Sequence, residues 1–411
     1  MGNRANTGIP TLDERAAVLT NSRRLKMSRS AHAFVRGNTR QFYEWLESVR
    51  TETLPEGPPV WICGDCHLGN LGPVADARER IRIQIRDLDQ TVIGNPAHDL
   101  VRLGLSLASA ARGSNLPGIT TANMVEQMVE GYEGAFGDDF DEDNDSQSPP
   151  VSVRLVLKQS ARRSWIHLAR ERLDNPKPSI PLGPRFWPLS KDERRGLEEL
   201  FDSDDMRQLA TSLRSREDDA RVRQLDAAYW MKGCSSLGRL RYAVLLSVGN
   251  KSSNGLCLMD VKEASKPAAP RQPHSNMPLD SAQRVVEGAR QLAPALGNRM
   301  RAGRLLERSV VVRELMPQDL KLEIERLTCK EAMKVARYLA RVVGRAHARQ
   351  MNAGTRKSWF TDLQANRSKD LDAPSWLWSS IVQLLTSHEG AYLEHCRKYA
   401  LEATRGIPFG T

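Results

Sequence analysis

The segment Cys63-Gly-Asp-Cys-His-Leu-Gly-Asn70 places a carboxylate, Asp65, and an amide, Asn70, five positions apart on one Gly-rich stretch. Such a pair can take up a hydroxyl proton and hold a metal ion, the division of labour that phosphoryl transfer needs. Seventeen residues past Asn70, an apolar run ends in Ile85-Arg-Asp87-Leu-Asp89, where a phosphotransferase puts its metal-binding carboxylates. Asp beside Gly also caps ordinary turns, and either motif taken alone favours that plainer reading.

The same loop spells C-x-x-C-H. Covalent haem attachment requires export, and Met1 to Pro10 has no apolar h-region. A thioredoxin-like pair should open a helix, whereas Leu-Gly-Asn-Leu-Gly-Pro follows here. Zinc at Cys63, Cys66 and His67 would need a fourth ligand that no second pair at suitable spacing supplies. The six cysteines (Cys63, Cys66, Cys234, Cys257, Cys329, Cys396) therefore read as free thiols, and His67 as a brace of the loop.

A second constellation is Lys232-Gly233-Cys-Ser235-Ser236-Leu-Gly238. Glycines and serines between two strands let a hairpin lie over phosphates and offer them N–H and hydroxyl groups, although plain turns look the same. Lys262, in Met-Asp-Val-Lys-Glu, stands where a phosphate-pairing lysine would. Glu287, on the next helix, is placed to hold it by an ion pair or to be one more solvated charge. The strand ending Val312-Arg-Glu314-Leu-Met316 would supply a hinge against the adenine.

These residues need elements to carry them. Apolar positions recur at three and four over 12–50, with a break at Arg36-Gly37-Asn38, and again over 98–135. Short apolar runs (VWIC, IRIQIRDLD) flank the first motif as strands. The acidic run 138–150 reads as an exposed loop, and 151–222 as Arg-rich helix interrupted by PKPSIPLGPRFWP, whose five prolines leave no room for a regular element. Strands follow at AYWMKG, RYAVLLSVG and GLCLMDVKEA. Then come a helix over Ser281 to Leu292, a strand over Arg308 to Met316, and helix from Thr328 onward. At 411 residues the chain is long enough for a bilobal body or two to three smaller domains. Sixty basic against fifty acidic residues give +10, which favours anionic partners such as nucleotides. The basic residues are dispersed, and no motif of a nucleic-acid-binding module accompanies the Arg-rich stretch. No apolar run is long enough to span a membrane, and a cytoplasmic location is expected.

CGDCHLGN followed by IRDLDQTVIGNPAHDLVRL resembles the aminoglycoside-phosphotransferase and choline-kinase branch of the protein-kinase-like superfamily. That branch carries H-G-D-x-x-x-x-N, a later D-x-D, and G-x-P-x-x-D-L. More closely, from KMSRSAHAFVRGNTRQFY to VKEA and beyond, the chain resembles the bacterial domain of unknown function 2252 family, over about residues 20 to 350. The resemblance implies an α+β, kinase-like bilobal fold using ATP and magnesium. It makes Asp65 the catalytic base, Asn70, Asp87 and Asp89 the metal-binding set, and Lys262 the phosphate lysine with Glu287 as its partner. The same resemblance makes Asp99 a structural carboxylate bracing the loop. Cys63 replaces the usual His.

The motif order is inverted: the Gly/Ser loop, lysine and hinge come about 170 residues after the catalytic loop. Circular permutation is the simplest account, with 328–350 as the helix that would otherwise lead into that loop. The division expected is 1–220 and 321–411 as two parts of a helical large lobe, and 221–320 as a β-rich nucleotide-binding lobe. The partners are a nucleotide and an acceptor whose identity no residue encodes. A pseudokinase that only binds nucleotide is the alternative, and adenylyl transfer stays open.

Overall fold

The computed structural model describes residues 9–49, 54–114, 116, 118–137, 148–162, 179–213, 216–232, 237–249, 255–273, 275–315, 327–365, 367 and 372–400. It is a mixed α+β structure. Helices α1 (Arg15–Met27), α2 (Ala31–Gly37) and α3 (Thr39–Ser48) occupy the first stretch. The sequence suggested one break here; there are two, because the Ser30 hydroxyl accepts from Ala33 N and starts α2 anew, and Asn38 ends it.

Strand β1 (Val60–Ile62) leads into the Cys63–Asn70 loop, and the hairpin of β2 (Leu71–Ala75) and β3 (Ile81–Ile85) leads from it to Asp87. Strand β4 (Val92–Gly94) returns antiparallel to β1. Asn95 then caps α4 (Pro96–Arg112), accepting from Ala97 N, with Pro96 in the first turn where its missing N–H costs nothing. Nearly all of α4 is buried, against α2, α5 (Gly118–Glu133) and α13 (Ser375–His395). Helix α5 also packs on α11 (Cys329–Ala348). A Cβ on Gly131 would lie 2.0 Å from Arg337 O, so these two backbones touch through a position only glycine can fill.

Helix α6 (Val151–Arg162) precedes α7 (Lys191–Phe201), which opens with a capping box of Ser190 and Glu193, and α8 (Asp204–Thr211). The second body of structure is a six-stranded antiparallel sheet in the order β5-β6-β7-β8-β10-β9. Its strands are β5 (Phe186–Trp187), β6 (Val222–Trp230), β7 (Arg241–Val248), β8 (Leu256–Glu263), β9 (Met300–Leu305) and β10 (Arg308–Glu314). Helix α9 (Ser281–Leu292), capped by Asp280, lies between β8 and β9 in the chain, followed by the single turn α10 (Pro294–Gly297). Helix α12 (Ala353–Gln364) separates α11 from α13.

Strand alternation divides the sheet's side chains. Tyr242, Val244, Met259, Val261, Val310 and Val312 point one way, into a core shared with α1, α7 and α8. Trp230, Leu245, Leu258 and Leu315 point the other way, under Ile180 and Phe186. Helices α7 and α8 therefore pack on the sheet, while α9 joins the large helical core through Val285, Val286 and Ala289. Packing thus cuts across divisions at residues 220 and 320.

Two details differ from the sequence reading. Inside the proline-rich stretch, Phe186 and Trp187 pair with Trp230 and Tyr229 as an edge strand, where missing proline donors are harmless. Strand β9 was not expected. It is joined to β10 by Leu306-Glu307, both at positive φ (50° and 60°), a tight hairpin made without the Asn-Gly that usually marks one.

Candidate functional site

The loop after β1 is held from beneath by α4. Cys63 N and Gly64 N donate to the two oxygens of Asp99, at 2.7 and 2.9 Å. His347 Nε2, at the end of α11, lies 3.2 Å from Asp99 Oδ2. His347 Nδ1 is 2.8 Å from the Tyr132 hydroxyl. The Tyr43 hydroxyl donates to Gly64 O at 2.6 Å. Gly64 itself has φ +73°, and a Cβ there would sit 2.1 Å from Gln90 O, so the loop closes on the 87–91 segment only with glycine.

So braced, the loop presents Asp65. Arg102, one helical turn after Asp99 on α4, donates Nε to Asp65 Oδ1 at 3.0 Å and Nη2 to Val35 O at 2.6 Å. The Thr39 hydroxyl also donates to Asp65, and His67 Nε2 is 3.8 Å from Oδ2. Burial pushes the Asp65 carboxyl up, and Arg102 and Thr39 only partly oppose it. Asn70 gives its Nδ2 to Asp65 O at 2.9 Å, leaving its Oδ1 uncommitted among the described residues. Burial keeps the His67 imidazole well below its ordinary range, hence neutral.

The carboxylates after β3 meet the sheet. Lys262 Nζ, on β8, is 3.2 Å from Asp87 Oδ1 and 3.4 Å from Oδ2, and it also pairs with Asp89. This contact joins residues 175 positions apart. Burial would raise Asp87, but Lys262, Arg313 and Arg241 outweigh it and hold that carboxyl far below the usual range. Asp89 moves the other way, pushed up by burial and by the charge of Asp87. Asp87 keeps 41% of its side chain open to solvent, against 12% for Lys262. Cys63 Sγ is 3.6 Å from Asp87 O, which ties the two motifs directly. Arg284 of α9 donates to the carbonyls of Asp89, Thr91 and Ser265, fastening the same segment to the sheet.

Other expected members are placed elsewhere. Glu287 does not meet Lys262: it is half-exposed and pairs with Arg290 at 2.7 Å, one turn along its own helix, while Lys262 is turned to Asp87 and Asp89. Glu314 is no open hinge side chain. It is buried on the face opposite Lys262, bound to Arg216 at 2.7 Å with Arg299 at 4.0 Å. Gly233, Ser235 and Ser236 lie outside the described residues; Gly238 stands at φ +95° in open space.

Sequence reasoning missed Arg102, Thr39, His347 and the group Arg241, Asp260 and Arg313. Arg241 grips Asp260 through two nitrogens at 2.9 and 2.6 Å, and Arg313 Nε lies 3.6 Å from it. The Asp99/Arg102 spacing of three on one helix, and His347 in the stripe Leu339, Val343, His347, were available signals. Among the described residues, no three His, Cys, Asp or Glu side chains group as a metal site. No described helix is long and apolar enough to cross a membrane.

Fold and site together describe an α+β protein whose helical body presents a braced acidic loop to a lysine on an antiparallel sheet. The profile of one family, described as an uncharacterized protein conserved in bacteria (DUF2252), matches residues 15–398, and the chain belongs to that family. No curated protein and no solved structure matches the chain.

Proposed function

We propose that this chain is an ATP- and magnesium-dependent phosphotransferase on a kinase-like, circularly permuted bilobal scaffold. The observation that carries the reading is the meeting of Lys262 with Asp87 and Asp89, beside a loop holding Asp65 and Asn70. Two features of the fold support it. Lys262 is on the third strand of a β6-β7-β8 meander, with the Gly/Ser segment between the first two strands in the sequence and α9 and the β9–β10 hairpin following. A Gly-rich turn, a strand lysine and a helix come in that order in protein kinases. The residues just past α11 also meet β1: Trp61 N donates to Gln350 Oε1 at 2.7 Å, and Gln350 Nε2 donates to Trp61 O at 3.0 Å. A direct link from residue 350 to residue 60 would restore the usual kinase order.

The donor set fits magnesium. Asp87 is ionised and partly open, Asn70 Oδ1 is uncommitted, and Asp89 is adjacent: hard oxygen ligands from a few side chains, with room for phosphate and water. Bound there, the ion would neutralise charge on the nucleotide phosphates. Lys262, released from Asp87 and Asp89 as the nucleotide enters, binds phosphate oxygens. Asp65 receives the proton of the acceptor hydroxyl, its raised pKa suiting a general base. Arg102 and Thr39 orient its carboxylate.

A second reading, nucleotide binding without transfer, is favoured by one contact: Arg102 already occupies Asp65 Oδ1. Asp65→Asn separates the two. In the first reading it leaves ATP affinity nearly unchanged while turnover on a phosphorylated acceptor falls by about two to four orders of magnitude. Undiminished turnover would remove Asp65 from the chemistry. Heat stabilisation by ATP with no acceptor ever phosphorylated would favour the second reading.

A further inference from the structure

Arg36 lies in the last turn of α2, three residues before Thr39, whose hydroxyl bonds Asp65. Its guanidinium lies flat against Gly69 of the catalytic loop: a Cβ on Gly69 would be 2.7 Å from its Cζ, Nε and Nη2. Among the described residues this guanidinium makes no hydrogen bond or ion pair, and its Nε is shut off from solvent. The nearby carboxylate, Asp65, is already claimed by Arg102. Two further buried nitrogens of the same neighbourhood lack partners, His67 Nδ1 and Arg102 Nη1, on side chains 4% and 0% exposed. A cation and a buried guanidinium N–H left without acceptors beside Asp65 are costly unless an anion joins them.

We propose that Arg36 is the recognition residue of an oxyanion site for the acceptor, so that the acceptor is a hydroxyl compound carrying a phosphate or carboxylate group. The assignment rests on the phosphotransferase reading for the word acceptor, while the anion site stands on the geometry alone. Arg36 would bind the oxyanion through its planar fork, and the hydroxyl would then lie toward Asp65 on the other side of Thr39. Cationic acceptors such as amino sugars or choline-like amines would be repelled by the same group.

The test is calorimetric titration of the full chain with inorganic phosphate and, separately, acetate, in wild type, R36Q and R36K, alongside ATP titrations of each. At least one anion should bind wild type with a Kd of about 1 mM or tighter, and R36Q should weaken it about tenfold or more. R36K should fall between, since an ammonium keeps the charge and loses the fork. Whichever anion binds names the acceptor's group. In wild type, that anion should also protect Arg36 from modification by an arginine-specific dicarbonyl, read by mass spectrometry. No binding of either anion, or binding indifferent to both substitutions, overturns the proposal. Loss of ATP binding by all three proteins, with Arg36-dependent anion binding kept, would instead count against the phosphotransferase reading.

Discussion

Removing the Asp99 carboxylate should release the Cys63–Asn70 loop from the helical body. Asp99 is 1% exposed and accepts from two backbone N–H groups and His347. In Asp99→Ala, Cys63 N and Gly64 N lose acceptors 2.7 and 2.9 Å away. Each such charge-assisted bond contributes about 1.5–3 kcal/mol, so the loss should be about 3–6 kcal/mol. Asp99→Asn keeps one good acceptor and turns an NH2 toward the other N–H, so about half of that loss is expected. Urea unfolding followed by tryptophan fluorescence measures the change. Hydrogen exchange of a peptide spanning residues 60–70 should lose protection locally even in the Asn variant. If Asp99→Ala were within about 1 kcal/mol of wild type, the bracing argument would be wrong.

Gly64→Ala should be far worse than Gly238→Ala. The first puts a methyl 2.1 Å from Gln90 O at φ +73°, the second adds only backbone strain at +95° in open space. Melting should show a loss of about 2 kcal/mol or more against about 1 kcal/mol, and equal losses would refute the close approach. Stability should also fall with acidity between pH 6.5 and about 4, because burial lowers His32, His98 and His388 each to about 4 from 6.5. In that window the unfolded chain binds protons that these three rings and His67 refuse in the folded chain, so unfolding takes up as many as four protons. A urea midpoint independent of pH over this range would contradict the burial of these rings.

Much of this was visible before any coordinates, for a physical reason. Helix α9 was bounded at Ser281 and Leu292 because a capping Asp and a following proline mark its ends in the sequence. Asp65, Asn70 and Asp87 stand out in the sequence by their short spacings beside Gly, and the structure brings Lys262 of β8 to Asp87. The supports stand out less. Arg102, Thr39 and His347 come from three helices, and apart from the Asp99/Arg102 spacing on α4 nothing local ties them to Asp65 or Asp99. The Lys262–Glu287 pairing failed because two placements on adjacent elements do not fix which charge a flexible lysine will choose when Asp87 and Asp89 compete. Strand β9 escaped because Met-Arg-Ala-Gly-Arg-Leu is neither alternating nor β-branched, and its turn carries no glycine.

The most direct test of the account is a calorimetric titration of ATP, with and without magnesium, into the wild-type chain and Asp87→Asn. The account predicts that wild type binds ATP more tightly with magnesium, and that Asp87→Asn loses this magnesium dependence because the carboxylate facing Lys262 is the metal's. Wild type that binds no nucleotide, or an Asp87→Asn variant whose magnesium dependence is unchanged, would contradict it.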